Sequence, residues 1–416
     1  MAVTLIRADR LLDGTGAPAV RGGAAVLIEG DTIRAVGPLD DVPAPPGAKV
    51  VELDDATILP GIVDGHVHLM LCQPSDPAYA RVQADRAHLF AWAAGNAQAC
   101  LAAGLTTVYD CGGPGDNTLV LRDAIAAGLL SGPRVLAAGA PITTTGGHCN
   151  WLGNRADTRD DVIKATRKLV EQGADFVKVM ATGGSLTPAS NRHTPQYSQA
   201  ELEALIGEAH RLKRRVVAHC NAAEGIRRSV PAGVDSIAHC NWLGPTPEYL
   251  DYDDALARRM GAQGTRVDLN IAQAIDPFEG RDGALRDWPP GGDRPRTRWE
   301  IVRHMQGYGV GVYLTSDAIG RGYDLLPRTL ALMPGRFGDA PADLIRLVTS
   351  SPARAMGLEN QIGALKPGLS ADVLVVRGDA ERDLGGLARP ELVYLRGELV
   401  AERGRVSPPS RLTPSA

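Results

Sequence analysis

The chain has 416 residues, of which 44% are hydrophobic and 22% charged, proportions that exclude a disordered protein and fit a folded globular one. Lys and Arg total 44 and Asp and Glu total 48, so the formal net charge is −4, and no basic run marks a nucleic-acid partner. The length exceeds the roughly 250–300 residues at which one core stops growing, so we expect a large domain and a smaller one.

Neither export nor membrane attachment is indicated. The first residues lack the apolar segment of a signal peptide. No stretch approaches the ~20 apolar residues of a membrane helix. The six cysteines form no CxxC pair, which indicates reduced thiols rather than disulfides or a thiolate zinc site. We therefore expect a cytoplasmic protein with no membrane partner.

The two ends of the chain are rich in strand and turn patterns. A hairpin pattern occurs at 24–36, where Gly30 and Asp31 form the turn, and another occurs at 391–400. The sequence predicts one small β-sandwich domain built from 1–60 together with 364–405, followed by a flexible tail over 406–416.

The middle of the chain alternates short apolar runs with helix-like stretches. The runs cover 62–68, 106–110, 134–140, 176–180, 215–219, 236–239, 266–270 and 312–317; the clearest helical patterns cover 160–171, 199–213 and 343–356. Eight strands alternating with helices predict an α/β fold, a (β/α)8 TIM-type barrel over 61–363. A doubly wound open sheet is the alternative, but no GxGxxG opens a helix after the first strand.

Polar residues stand at the ends of these apolar strands, where the active site of such a barrel lies. Side chains at i and i+2 share one face of a strand, so His66 and His68 both point inward and Val67 points outward. Imidazoles together with the Asp317 carboxylate suit Zn²⁺ and tolerate Mn²⁺, Fe²⁺ or Co²⁺. His-x-His alone also fits two polar residues at a strand end. The complete set is His66, His68, Lys178, His219, His239 and Asp317.

Lys178 lies inside the apolar strand 176–180. Burial lowers the pKa of a lysine, and nearby metal cations lower it further. A neutral amine reacts with carbon dioxide to give a carbamate, an anion able to bridge two metals. The alternative is a lysine that reaches solvent past the strand end.

Several segments resemble the motifs of a known superfamily. They are LPGIVDGHVH at 59–68, AGLTTVYD at 103–110, TGGH at 145–148, VKVMATGG at 177–184 and LKPGLSAD at 365–372. Together they resemble the amidohydrolase superfamily, in particular the binuclear-metal members of the prolidase-like, imidazolonepropionase-related kind. The resemblance extends over nearly the whole chain and is specific for the subgroup, but not for the substrate.

The resemblance implies the roles of the metal-binding residues. His66, His68 and Asp317 would hold one divalent ion, and His219 and His239 a second. Zinc is the metal first expected. Lys178, carboxylated by CO2, would bridge the two ions together with a hydroxide that attacks the substrate carbonyl. Asp317 would take the proton of this hydroxide as general base and pass it to the leaving nitrogen as general acid.

Two further residues are candidates for substrate contact. The resemblance implies that His148, after two glycines, faces the substrate as a catalytic residue; a loop histidine is the alternative. Asn221 lies two residues after His219 on the same strand face, where relatives often carry a histidine or an aromatic residue. Arg192 and His193 fit either a substrate carboxylate or a solvated loop. The segment 276–298 is long for a βα loop and is interpreted as a cover over the site.

The sequence therefore predicts a metal-dependent hydrolase of an amide C–N bond in a small molecule, such as an N-acyl amino acid or a dipeptide. A mononuclear deaminase or cyclic amide or imide hydrolase on the same fold is the alternative. A silent scaffold is a third hypothesis, disfavoured by the full ligand set. Relatives are commonly homo-oligomers, so a homo-oligomer is expected.

Overall fold

A computed structural model describes residues 2–246, 250–271, 298–334 and 340–409. The strands are β1 (Val3–Leu11), β2 (Val20–Glu29), β3 (Thr32–Pro38), β4 (Lys49–Pro60), β5 (Ile62–His68), β6 (Leu105–Asp110), β7 (Arg134–Ala137), β8 (Val177–Val179), β9 (Val216–Ala222), β10 (Ser236–Leu243), β11 (Arg266–Asn270), β12 (Gly311–Thr315), β13 (Ala318–Ile319), β14 (Val373–Arg377), β15 (Pro390–Leu395), β16 (Glu398–Glu402) and β17 (Arg405–Val406).

The helices are α1 (Tyr79–Ala84), α2 (Arg86–Ala102), α3 (Asn117–Ala126), α4 (Arg159–Glu171), α5 (Gln199–Arg211), α6 (Ala223–Ser229), α7 (Asp254–Gln263), α8 (Arg298–Gly307), α9 (Leu325–Leu330), α10 (Pro341–Leu347) and α11 (Ser350–Ala355). Short 3₁₀ helices lie at Leu39–Asp41, Asn150–Leu152 and Leu384–Ala388. Within the described ranges, none of the helices has both the length and the apolar character that crossing a bilayer requires.

Both ends of the chain meet in one sheet with the order β17-β16-β15-β14-β4-β1-β2-β3, here called the terminal sheet. The two predicted hairpins are confirmed, because β2 pairs antiparallel with β3 and β15 with β16. The sandwich arrangement and the domain bounds stay predictions. Within the expected tail, Ser407 Oγ donates to the carbonyl of Leu399, and 410–416 lies outside the described residues.

The middle of the chain forms two parallel sheets, β13-β5-β6-β7 and β12-β11-β10-β9-β8. Each of the eight predicted apolar runs overlaps one of the strands β5 to β12. A parallel bridge between Ile142 and Val179 links the first sheet to the second. β12 of the second sheet is followed directly in the chain by β13 of the first. Because all pairings within the two sheets are parallel, the C-terminal ends of the strands in each sheet lie at one edge.

The helical predictions hold for α4 and α5, and each begins with a capping box, in which Thr158 and Ser198 are the N-cap residues. The prediction of one helix over 343–356 is wrong, because α10 ends at Leu347 and α11 begins at Ser350. Pro352 explains the break. It lacks an N–H, and its ring would clash with the carbonyl four residues earlier in a continuous helix.

The packing beneath the strand ends places the site. Val67 belongs to the main core together with Leu89 of α2, as its outward orientation predicts. Phe176 and Val217 belong to a second apolar cluster and precede Lys178 and His219 by two residues. An apolar layer therefore lies beneath the polar residues. Their polar groups are buried at the C-terminal ends of the strands.

Candidate active site

The polar side chains predicted at the strand ends lie in one buried cluster. The ring of His66 lies 5.3 Å from that of His68 and 5.3 Å from that of His239, measured between centroids. The rings of His239 and His219 are 4.4 Å apart. Nζ of Lys178 lies 3.2 Å from Nε2 of His66. The structure thus brings together residues of β5, β8, β9 and β10.

Asp317 completes a compact group with two of these histidines. Its Oδ1 lies 3.5 Å from Nε2 of His66 and 3.4 Å from Nε2 of His68, and the ligand atoms of the three residues all lie within 4.8 Å of one another. Burial alone would raise the pKa of Asp317, but the neighbouring His66 and His68 lower it to about 2. The carboxylate is therefore ionised at neutral pH.

The tautomers of the β5 histidines fit a metal ion. His66 Nδ1 donates to Oδ2 of Asp268 at 2.5 Å, and His68 Nδ1 donates to the carbonyl of Gly112 at 2.8 Å. Nε2 is therefore the ring nitrogen of each histidine that faces Asp317. Two imidazole lone pairs and a carboxylate oxygen at short range are a donor set for a divalent cation.

His219 and His239 form a second pair of nitrogen donors. Nδ1 of His219 and Nε2 of His239 face each other at 2.7 Å. Burial lowers the pKa of both imidazoles well below its usual value, so both are neutral at pH 7. The Asn221 amide donates to Nε2 of His219 at 2.9 Å and accepts from Asn241 at 2.6 Å. This contact orients His219, and a substrate contact of Asn221 stays a prediction.

Lys178 does not reach solvent, because only 1% of its surface is exposed. In the part of the chain that the structure describes, it forms no ion pair with a carboxylate, and its Nζ donates to Nε2 of His66. A lysine is rarely buried without an anionic partner. Its position between the histidines therefore leaves room for chemistry on the amine itself.

His148 lies at the edge of the same cluster, with its ring 4.8 Å from that of His219. Burial lowers the pKa of His148 to about 4, and its buried Nδ1 has no hydrogen-bond partner among the described residues. A Cβ at Gly184 would lie 2.3 Å from Nε2 of His148, so only glycine leaves room for this ring. The structure thus places a neutral imidazole with an unused nitrogen beside the metal-type donors.

Strained backbone marks the same region. Cys149, His239 and Asp317 have φ values of 55°, 67° and 53°, in the left-handed region that disfavours residues with a Cβ. Such residues persist where the surroundings hold them, and they concentrate at functional sites. The strain here lies on residues that carry or flank the predicted donors.

The sequence interpretation missed two residues of the site. Asp268 is fully buried on β11, holds His66, and accepts from Thr315 Oγ1 at 2.5 Å. A carboxylate inside an apolar strand was the available signal. Arg298 donates to the carbonyl of His239 at 2.9 Å. It was assigned only to the predicted cover, and the rest of that segment, 276–297, lies outside the described residues.

Other residues that the sequence singled out lie around the buried cluster. Arg192 is exposed in the loop after β8, and Nδ1 of His193 lies 2.8 Å from the carbonyl of Gly244. Cys220 and Cys240, which directly follow His219 and His239, pack in the main core. An apolar cluster borders the other side of the site; its members are Leu71, Cys149, Leu152, Met180 and Ile319.

Comparison with known proteins agrees with this geometry. Residues 57–400 match the amidohydrolase family. Ochratoxinase of Aspergillus niger is 26% identical over 435 residues, which cover 94% of this chain and 84% of that protein. Imidazolonepropionase of Salinispora tropica is 25% identical over 397 residues, covering 92% of each chain. The crystal structure of a Xaa-Pro dipeptidase with methionine bound in its active site has a TM-score of 0.81 and 26% identity, covering 96% of this chain and 100% of that one.

The family match extends over most of the chain and includes the strand ends where the buried cluster lies. The expected resemblance to prolidase-like and imidazolonepropionase-related proteins is confirmed by these similarities. The chain therefore belongs to the amidohydrolase family and is an enzyme, a hydrolase that acts on carbon–nitrogen bonds.

Proposed function

We propose that the chain is a binuclear metal-dependent hydrolase that cleaves the amide bond of an N-acyl amino acid or a dipeptide, on a closed (β/α)8 barrel. One observation carries the proposal: a buried lysine, a carboxylate and four imidazoles converge at the C-terminal ends of neighbouring strands, with their nitrogen and oxygen atoms close to one another. Titratable groups that share a buried space and have strongly shifted pKa values are typical of a functional site.

In this proposal His66, His68 and Asp317 hold one cation, and His219 and His239 hold the other. The fixed tautomers of the β5 histidines and the facing nitrogens of His219 and His239 support this division. Lys178 would add CO2 at its amine with release of one proton, and the resulting carbamate would be a further anionic ligand for the cations. Zn²⁺ suits these nitrogen and oxygen ligands.

Divalent cations at this site would polarise a carbonyl and lower the pKa of a water. The chain's own residues then supply proton transfer and positioning. The ionised Asp317 accepts the proton of the attacking water and delivers it to the leaving nitrogen. His148, neutral at pH 7 and with an unused nitrogen, donates a hydrogen bond to the substrate carbonyl oxygen. Burial of the cluster keeps bulk water away from these groups.

The substrate class follows from a neighbour. A structurally similar Xaa-Pro dipeptidase, 26% identical, holds an amino acid in its active site. A small substrate with an amino-acid portion is therefore the first one to test on this chain.

A mononuclear deaminase or cyclic-amide hydrolase is the second candidate. The observation that favours it is the compactness of His66, His68 and Asp317, which suffice for one cation without Lys178. The similarity to imidazolonepropionase points the same way.

Metal analysis and hydrolysis of a panel of N-acyl amino acids and dipeptides test the proposal together. We expect two metal ions per chain and amine release that a chelator abolishes and added metal restores. His239→Asn should lower kcat/KM by roughly a thousandfold, or about 4 kcal/mol of transition-state stabilisation. His210→Asn, on the exposed part of α5, is the matched control and should act like wild type.

Lys178→Met separates the two candidates. Loss of one metal ion together with activity supports the binuclear enzyme, whereas a single metal in both proteins and retained deaminase activity supports the mononuclear one. A metal-loaded wild type that releases no amine from any panel member refutes the first candidate.

A further inference from the structure

Side chains hold the backbone on both sides of His148. Its N–H donates to Oε1 of Gln196 at 2.5 Å, and its carbonyl accepts from Oγ1 of Thr143 at 2.7 Å. The next N–H, that of Cys149, donates to Oγ1 of Thr187 at 2.8 Å. Both peptide units that join His148 to the chain are therefore fixed by side-chain hydrogen bonds. We call Thr143, Thr187 and Gln196 the His148 clamp.

The clamp also ties this loop to β8. Nε2 of Gln196 donates to the carbonyl of Met180 at 2.7 Å and to Oγ1 of Thr143 at 3.1 Å. The N–H of Ile142, the residue before Thr143, donates to the carbonyl of Lys178 at 2.9 Å. A shift of the loop against β8 would break these bonds, so the clamp fixes where the imidazole lies relative to the buried cluster.

Two glycines leave the room that this arrangement needs. A Cβ at Gly147 would lie 2.9 Å from Oε1 of Gln196 and 2.9 Å from Oγ1 of Thr143, and a Cβ at Gly184 would lie 2.3 Å from Nε2 of His148. Atoms do not pack at such distances, so a larger residue at either position would push the clamp or the ring aside. The first glycine lets the clamp close on the backbone, and the second lets the ring reach the site.

The imidazole itself is not held in this way. Its buried Nδ1 has no hydrogen-bond partner among the described residues, and its ring lies 4.8 Å from that of His219. A loop that served the fold alone would gain nothing from an unpaired buried nitrogen, which costs free energy. A fixed backbone that carries a free ring nitrogen fits a group that must meet one atom of a substrate at one place.

We propose that Gln196 and Thr143 are positioning residues: they act through His148 and hold its imidazole where negative charge develops on the carbonyl oxygen during amide cleavage. The inference rests on the proposed function and goes beyond it, since it assigns part of the rate to two residues that need not contact substrate or cations. A hydrogen-bond donor that is already in place stabilises the transition state without reorganisation. Loss of the clamp should therefore lower kcat and leave KM and metal content nearly unchanged.

The first test measures kcat and KM of metal-loaded variants on the panel substrate that wild type hydrolyses best. His148→Ala should lower kcat by about 100-fold or more, as expected for loss of one transition-state donor. Gln196→Leu should lower kcat by about 100-fold, because a misplaced group loses most of its effect. KM should change by less than about threefold. Both variants should bind as much metal as wild type.

A double variant shows whether Gln196 acts through His148. In the His148→Ala background, Gln196→Leu should change kcat by less than about twofold, because the group that Gln196 positions is already absent. A residue that only stabilised the fold would lower activity by the same factor in both backgrounds. The double variant therefore distinguishes positioning from a purely structural role.

Variants of Thr143 protect the test from a folding defect in Gln196→Leu. Thr143→Val has nearly the same shape but lacks the hydroxyl that donates to His148, so it should lower kcat by about tenfold. Thr143→Ser keeps the hydroxyl and should restore the wild-type kcat. Gln199→Leu, the same replacement at an exposed residue of α5, is the matched control and should leave kcat unchanged.

The outcomes separate this inference from the proposed function. It is overturned, with amide hydrolysis left standing, by a wild-type kcat in Gln196→Leu and Thr143→Val, by an equal loss from Gln196→Leu in both backgrounds, or by loss of metal in Gln196→Leu. A wild-type kcat in His148→Ala overturns it too, since no ring would then need positioning. No hydrolysis of any panel member by metal-loaded wild type refutes the proposed function, and the inference with it.

Discussion

Polar side chains are mostly paired in the terminal sheet, where Nε of Arg7 is an exception, whereas several at the central strand ends are not. In the terminal sheet charged groups find partners from the other end of the chain: Arg21 pairs with Asp379 and Glu381, 358 and 360 residues away. At the strand ends, buried Nδ1 of His148 and Nε of Arg298 have no partner within the described residues. Satisfied polar groups hold a fold together, whereas buried unsatisfied ones indicate a place completed by something that binds.

Backbone strain follows the same division. In the terminal sheet Asp55 has a positive φ where the register of β4 against β1 shifts, and Arg396 and Arg403 have positive φ values before a glycine in the turn of a hairpin. At the centre, positive φ falls on His239 and Asp317, which are no hairpin residues. In the terminal sheet the positive φ values occur where the chain turns or the strand register shifts. At the central strand ends they occur on residues that carry predicted metal ligands.

The largest loss of stability is expected from a substitution at the contact between the terminal sheet and β7 of the central strands. The carboxylate of Asp372, 4% exposed, pairs with Arg134 of β7 and accepts from the backbone N–H of Arg396. Asp372→Asn leaves a largely buried guanidinium without its counter-ion and should lower the free energy of unfolding by about 3 kcal/mol.

Chemical unfolding measures this loss, and metal content should remain that of wild type. Asp343→Asn removes an exposed pair with Arg346 and, as the control, should cost less than about 0.5 kcal/mol. A loss below about 1 kcal/mol in Asp372→Asn would show that the buried ion pair between Asp372 and Arg134 does not stabilise the fold as its burial implies.

The second effect should be on metal binding rather than on folding. Asp268→Asn keeps the shape of the side chain but removes the charge that orients His66, and metal affinity should fall by about 10–100-fold. Competition with a chelator measures the affinity. Asp175→Asn, which changes a carboxylate that accepts from Arg122 before β8, is the control. Unchanged affinity in Asp268→Asn would contradict the role given to Asp268.

The smallest effect should appear as a pH dependence on the outer helices. The guanidinium groups of Arg211 and Arg167 lower the pKa of Glu208 from 4.5 to about 2. Because the folded-state pKa is lowered, this stabilisation is complete above pH 4.5 and is lost as the pH falls toward 2. Wild type should therefore be more stable than Glu208→Gln at pH 7, with a difference that shrinks between pH 4.5 and 2.

Unfolding curves at several pH values measure that difference, and Glu203→Gln on the same helix should show no such trend. A difference that stays constant down to pH 2 would rule out the ion pairs as its source. Neither variant should alter metal content, since α5 lies away from the strand ends.

The donors of the site were predictable because physical chemistry makes them conspicuous in the sequence. His66, His68 and Lys178 are polar residues in strands made largely of apolar residues, and parallel strands bring their C-terminal ends to one edge. Asp268 carried a weaker form of the same signal and was overlooked. Arg298 carried none, because a helix residue reaches the site only through tertiary packing, which local patterns do not encode.

The fold shows a similar limit. Periodicity located the strands and both hairpins, but it extended one helix across 348–349, where Pro352 forbids it. The order of strands in the terminal sheet was also beyond local pattern, since it depends on pairing between opposite ends of the chain.

That pairing has a consequence for how the protein is made. Strand β4 pairs with β1 on one side and with β14 on the other, and residues 61–372 are synthesised between β4 and β14. Throughout that interval the nascent chain carries an uncapped row of backbone donors and acceptors, a template for association with a neighbouring polypeptide. Loss of the last strands through premature termination or proteolysis would leave the same edge of β4 unpaired permanently. Such a truncated chain should therefore aggregate before it loses metal binding or activity at the strand ends.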